Sequence, residues 1–137
     1  MGRVDDALRQ FGEGRACSQA VLGAFAPSLG LDPGQAVCLS AGFAAGMRIG
    51  EVCGAATGAI IALGLARCDE SCATREGRAA VASAVEEFTE RFRQRVGAID
   101  CPDIIGCDIR TPEGRASAQS AGLFASRCTP AVRAAAE

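Results

Sequence analysis

The chain reads as all-α, a single domain over residues 1–137 built as a bundle of about five to seven helices, and three observations predict it. Apolar residues recur at helical spacing, whereas the alternation of a half-buried strand is hard to find. Alanine and aliphatic side chains dominate, with five Pro and no Trp or Tyr. Helix start and stop residues punctuate the sequence from end to end. A chain of 137 residues is long enough to bury a core of its own.

The first element is a short helix from Asp5 to Phe11, with Ala7, Leu8 and Phe11 on one face and Gly12 and Gly14 ending it. A second helix is expected from Cys17 to Leu29, its apolar face formed by Ala20, Val21, Ala24 and Phe25 and its stop by Gly30. Asp32 is the N-cap of a third, with Pro33 in the first position, and that helix fades near Gly46. Cys53 starts a fourth helix running through Ala66, a glycine-rich and buried one. After the charged loop "RCDESCATREG" comes the most regular element. Val81, Val85, Phe88, Phe92 and Val96 form its stripe, Glu87 pairs with Arg91, and Gly97 closes it. Cys101-Pro102 opens a turn that ends near Gly106. Thr111-Pro112 starts a helix ending at Gly122, and Thr129-Pro130 starts the last one, which reaches toward Glu137.

Several functions are disfavoured at once. A formal charge of −2 without a basic run offers nothing to nucleic acid. The longest apolar stretch, Cys53 to Ala66, falls short of the roughly 20 residues that cross a bilayer, so no membrane association is expected. Met1-Gly2-Arg3-Val4-Asp5-Asp6 carries no apolar leader core, so the expected location is the cytoplasm. Glu86, Glu87 and Glu90 read as a solvated helix face, not as paired acid–base catalysts. No phosphate-binding glycine motif occurs.

Eight cysteines and no histidine carry most of the remaining information. Without histidine there is no Ser-His or Cys-His pair and no mixed Cys/His zinc finger, so special chemistry here is sulfur chemistry. Cys17, Cys53, Cys101 and Cys128 all fall at or beside expected helix N-termini. Unpaired N–H groups and the positive end of the helix dipole favour thiolate at such places. The other four differ. Cys38 is expected as a buried core thiol, Cys68 and Cys72 share an exposed loop where they could pair reversibly or bind a metal, and Cys107 neighbours Cys101.

Glycines recur every fourth residue around Cys53, at Gly42, Gly46, Gly50, Gly54 and Gly58. Each glycine inside a helix costs roughly 1 kcal/mol against alanine, so close backbone packing or a site near the sulfur must compensate. Gly42/Gly46 and Gly54/Gly58 are each expected to form a small-x-x-x-small step on a helix face, a spacing that would also serve a homodimer.

The order "GRACSQAV", "VCGAATGA", "DCPDIIG" and "RCTPAV" resembles the bacterial and archaeal family named for its cysteine pattern, C-GCAxxG-C-C, and labelled redox-active. The resemblance runs from about Phe11 to Ala136. It places the pattern cysteines on Cys17, Cys53, Cys101 and Cys128, with Gly54 and Gly58 as the motif glycines, although here Cys53 precedes its glycine. Redox chemistry is what it implies; the cofactor and the partner protein stay open.

Three chemistries use these residues. Four thiolates can ligate a [2Fe–2S] or [4Fe–4S] iron–sulfur cluster in an electron carrier, with Gly54 and Gly58 letting backbone approach it. Alternatively Cys17 or Cys53 attacks as a thiolate and Cys101 or Cys128 resolves, with no cofactor. In the third, the four cysteines hold zinc or another soft metal.

Overall fold

The computed structural model describes residues 2–136, and the start signals act where they stand. Helix α1 spans Arg3–Gly12, with Asp5 and Asp6 in its first turn, and α2 spans Cys17–Phe25. The Gln19 side chain accepts the N–H of Ala16 at 3.0 Å, and this ties down the first turn of α2. α2 ends earlier than the expected Leu29. Pro27 cannot continue the α ladder, so Pro27–Leu29 tightens into a 3₁₀ turn closed by Gly30 at φ 72°. Helix α3 spans Pro33–Ser40, and Asp32 caps it by accepting the N–H of Gln35 at 3.0 Å.

α3 does not reach Gly46. A 3₁₀ turn over Ala41–Phe43 follows it, and then the backbone turns left-handed. Ala45, Gly46, Met47 and Arg48 all have φ between 56° and 64°. Outside glycine this conformation costs roughly 1–2 kcal/mol per residue. The Gly42/Gly46 step therefore does not exist. Gly42 is exposed with open space around it, and Gly46 sits in the left-handed turn, where a Cβ would lie 2.5 Å from the Glu51 carbonyl oxygen.

Helix α4 spans Gly54–Arg67 with Cys53 as its N-cap. It is buried through its first half and exposed from Leu65 onward. After a 3₁₀ turn over Glu70–Ala73, α5 spans Arg75–Val96, capped by Thr74, whose hydroxyl accepts the N–H of Gly77, and closed by Gly97 at φ 93°. Its stripe is only half covered: Phe92 is buried, Phe88 and Val96 are partly so, and Glu86, Glu87 and Glu90 face solvent. Helix α6 spans Cys101–Ile105, where the sequence promised a turn, and α7 spans Pro112–Ser120. A π turn over Phe124–Cys128 runs directly into α8, Thr129–Ala136. Glu137 lies outside the described residues.

Among the described residues the fold is thus all-α with eight α-helices, and the only pairing of strand type is one bridge, Val52 with Asp100. α4 packs chiefly on α2, which also carries α1 and α3; α8 closes the bundle against α1, α4 and α5. The main core is largely alanine, with Ala7, Ala24, Ala55, Ala56, Ala59 and Ala131 around Val21, Phe92 and Val132. Such small side chains bring helix axes close together. A second core of Cys101, Ile105, Ile109 and Ala118 holds the α6 region. Buried polar side chains are satisfied: Ser18 donates to the Ser40 carbonyl at 2.8 Å, and Ser40 to that of Ala36 at 2.6 Å. No described helix is long and apolar enough to cross a membrane.

Candidate functional site

Two helix N-termini and one strained turn converge on the sulfur of Cys17. Cys17 is the first residue of α2, and the backbone N–H groups of Ser18 in α2, Ala55 in α4 and Ala45 in the left-handed turn point at it. Cys53, the N-cap of α4, is hydrogen-bonded to the same sulfur and is itself buried. The hydrogen bond from Cys53 is the largest influence on Cys17. With the three N–H groups it outweighs burial and lowers the Cys17 pKa to about 7. The Cys53 thiol is pushed well up by the same hydrogen bond, by burial and by the charge on Cys17. Of the pair, Cys17 is the one that ionises near pH 7, and Cys53 is the S–H donor.

The glycines of the motif have a steric explanation at this point. A Cβ on Gly54 would lie 2.6 Å from the Cys17 sulfur and 3.1 Å from the Phe43 carbonyl oxygen. A Cβ on Gly58 would lie 2.7 Å from the Ser18 carbonyl oxygen. Gly54 therefore admits the sulfur to the head of α4, and Gly58, one turn on, admits the α2 backbone. Of the two small-x-x-x-small steps, this one is real. It seats one helix of the chain on another, and only Gly54 touches the site.

Cys101 is brought in by the short bridge. The Glu51 carbonyl accepts the N–H of Cys101 at 2.7 Å, and the Ile99 carbonyl accepts that of Cys53 at 2.7 Å, so the two cysteines flank the Val52–Asp100 pair. Cys101 is the first residue of α6, with Asp100 in the cap position before it. Cys128 stands directly before α8, as expected, with one difference. It ends the π turn that continues into α8, so it has no free helix N-terminus of its own. Cys17, Cys101 and Cys128 nevertheless line one half-open cavity of about 180 Å³ with Phe11, Ala44, Ala45, Ile105, Ile109 and Phe124. Burial, and then the charge on Cys17, push both Cys101 and Cys128 up to about 12, so both are neutral thiols at pH 7.

The four cysteines are thus neighbours, but as one thiolate among three thiols. Among the described residues no group of three or more Cys, Asp or Glu side chains is gathered so as to hold a metal ion. The remaining cysteines stand apart. Cys38, expected in the core, is exposed on the outer face of α3. Cys107 is partly buried beside Cys101 and donates weakly to the Gly114 carbonyl. Cys68 and Cys72 form a disulfide in the α4–α5 connection. The left-handed turn that supplies the Ala45 N–H is the one functional feature the sequence did not reveal. "AGMRIG" holds two glycines, yet the positive φ angles fall mostly on other residues.

No curated protein and no solved structure matches the chain. Residues 15–137 match the family described as "Putative redox-active protein (C_GCAxxG_C_C)", and this interval contains all four pattern cysteines and the CGAATG segment that seats Cys17 against Cys53. The match covers most of the chain, and the protein belongs to this family of redox-active proteins.

Proposed function

We propose that the protein works as a thiol redox couple in which Cys17 is the attacking thiolate and Cys53 its partner, cycling between a dithiol and a Cys17–Cys53 disulfide. The observation that carries this reading is the placement of the two cysteines side by side at the heads of α2 and α4, close enough for each to shift the other's proton affinity. In the oxidising half, the thiolate–thiol pair loses two electrons and the Cys53 proton to an acceptor and forms one S–S bond, the Cys17 proton having left when that thiol ionised. In the reducing half, two thiol groups of an external reductant supply both electrons and both protons and leave joined as a disulfide.

The electrostatics suit the order of events. A thiol with a pKa near the ambient pH is the best attacking group, and Cys17 has one of about 7. Cys53 is held protonated in part by the charge on Cys17. Once Cys17 has reacted, that charge is gone, and Cys53 loses its proton more easily at the moment its sulfur must attack. The hydrogen bond favours Cys53 over Cys101 or Cys128 as the resolving thiol. Thiol chemistry is preferred to a cluster here because, among the described residues, no donor set is gathered for a metal.

The test is made on protein purified without oxygen. The expected sample is colourless, and mild oxidation removes two free thiols that peptide mapping finds joined as Cys17–Cys53; Cys17→Ser forms no such link. A brown sample containing iron and acid-labile sulfide, its colour lost in Cys17→Ser, would overturn the reading in favour of an iron–sulfur site. A Cys101–Cys128 link in place of Cys17–Cys53 would overturn it as well.

A further inference from the structure

Cys101 and Cys128 have no part in the two-sulfur cycle, yet they share the cavity wall with Cys17. Apart from Cys17 itself, that wall holds no side chain that can carry a charge at neutral pH, and it is almost wholly apolar. Its volume of about 180 Å³ is on the order of six water molecules. The thiolate of Cys17 is the one full charge facing the space, so an anionic oxidant meets both repulsion and a desolvation cost there. A peptide disulfide is too large for it. An uncharged molecule with a weak O–O bond and a small alkyl group meets neither obstacle.

Resting on the assignment of Cys17 and Cys53 as the redox pair, we propose that the oxidant is a small uncharged hydroperoxide admitted through this cavity, and that the thiols of Cys101 and Cys128 supply the proton its leaving alkoxide needs. The Cys17 sulfur attacks the terminal oxygen of ROOH. An S–O bond forms, the O–O bond breaks, and RO⁻ departs. Among the cavity-lining side chains only Cys101 and Cys128 carry a proton to give. Burial keeps both protonated at neutral pH, and either is far more acidic than an alcohol. The alcohol ROH leaves, and water restores the donor thiol. Cys53 then displaces hydroxide from the Cys17 sulfenic acid, its own proton completing a water molecule, and the disulfide forms. Summed, two thiols and ROOH give one disulfide, ROH and water. Cys53, Cys101 and Cys128 are the titratable groups that face Cys17 from α4, α6 and the π turn before α8.

The experiment compares oxidants on the full chain, with its thiols first reduced by dithiothreitol and the reductant then removed. Formation of the Cys17–Cys53 link is followed with tert-butyl hydroperoxide and, separately, with glutathione disulfide, which is large and charged. The hydroperoxide is expected to react at least tenfold faster. Glutathione disulfide reacting as fast would overturn the cavity's role while leaving the redox pair standing. If neither oxidant produces the Cys17–Cys53 link, the pair itself falls, and this proposal with it. Cys128→Ala is expected to slow the hydroperoxide reaction several-fold while leaving iodoacetamide labelling of Cys17 within twofold, because alkylation needs no proton donor. Equal slowing of both reactions would reduce Cys128 to a packing role.

Discussion

Helix α4 carries a pair of cysteines at each end, and the two pairs are in opposite states. At its head Cys53 and Cys17 are unlinked, enclosed and hydrogen-bonded, with one held as thiolate. At its foot Cys68, the C-cap, is joined to Cys72 as a disulfide in an exposed loop. The helix itself accounts for much of the contrast. Its N-terminal N–H groups and the positive end of its dipole stabilise a thiolate, whereas its C-terminal carbonyls disfavour one. A disulfide carries no charge for those carbonyls to oppose. The pairs are also independent, because 14 residues of helix at ~1.5 Å each separate them by roughly 20 Å. Cysteine count alone therefore says little about redox role; the end of the helix on which a cysteine falls says more.

The largest effect that would break this comparison is at the head. Cys17→Ser removes one of the two sulfurs and should abolish the proximal disulfide outright, leaving Cys53 unlinked after mild oxidation. The Cys68–Cys72 link should persist, and peptide mapping reads both bonds in one sample. Loss of the distal link along with the proximal one would show the two ends to be coupled.

Next in size is the hydrogen bond between the sulfurs. In the wild type, Cys17 labelling by iodoacetamide should rise with pH and level off above a midpoint near 7, because only the thiolate reacts and its share grows as the proton is lost. Cys53→Ala removes the largest cause of that lowered value, so the midpoint must move upward. A hydrogen bond to a charged group is worth about 1.5–3 kcal/mol, which amounts to a fall in labelling at pH 7 of roughly 7- to 80-fold. An unmoved midpoint would assign the lowering to the three N–H groups alone.

How much of this was legible in the sequence depends on what each residue's signal reports. Capping chemistry is local, so Asp32, Thr111 and Gly97 act where the sequence placed them. Cys17 and Cys53 were legible for the same reason, since a helix start can be read from its neighbours. Cys128 stands directly before α8 as expected, but the wide π turn over Phe124–Cys128 has no start residue of its own and runs into that helix, so the sequence could not show that its N-terminus is not free. Cys38 was misread because apolar neighbours do not make a face: Leu39 beside it is exposed too, and only Ala36 and Ser40 turn inward. The left-handed run at Ala45, Met47 and Arg48 was invisible, since its cost is met by contacts with distant residues, among them the packing of Ala45 against the core around Cys101.

Gly54 and Gly58 sharpen the comparison at the level of one methyl group. Both face α2 at closed distances, so alanine at either should cost about 1–3 kcal/mol, as overpacking does. Only Gly54→Ala presses on the Cys17 sulfur. It alone should slow Cys17 labelling at pH 7, while Gly58→Ala lowers the thermal midpoint and leaves the labelling profile in place. If Gly58→Ala moves the profile equally, the approach of the two helices, not the space beside the sulfur, sets the reactivity.

The smallest effect belongs to the foot of α4. Replacing Cys68 and Cys72 together by Ser opens a ring that spans a sequence separation of 4. Closing so short a loop restricts the unfolded chain little, and the chain-entropy estimate is about 2 kcal/mol. The caps at Asp69 and Thr74, which accept from Ser71 and Gly77 at 2.8 and 3.1 Å, still hold the turn without it. The double variant should therefore unfold at slightly lower denaturant and keep the wild-type pH profile for Cys17, its rate changed by less than twofold. A larger change at Cys17 would mean that α4 transmits strain from the exposed corner to the buried sulfur. A helix whose first half is locked against α2 through Gly54 and Gly58, and whose last turn is free in solvent, has no rigid path by which to do so.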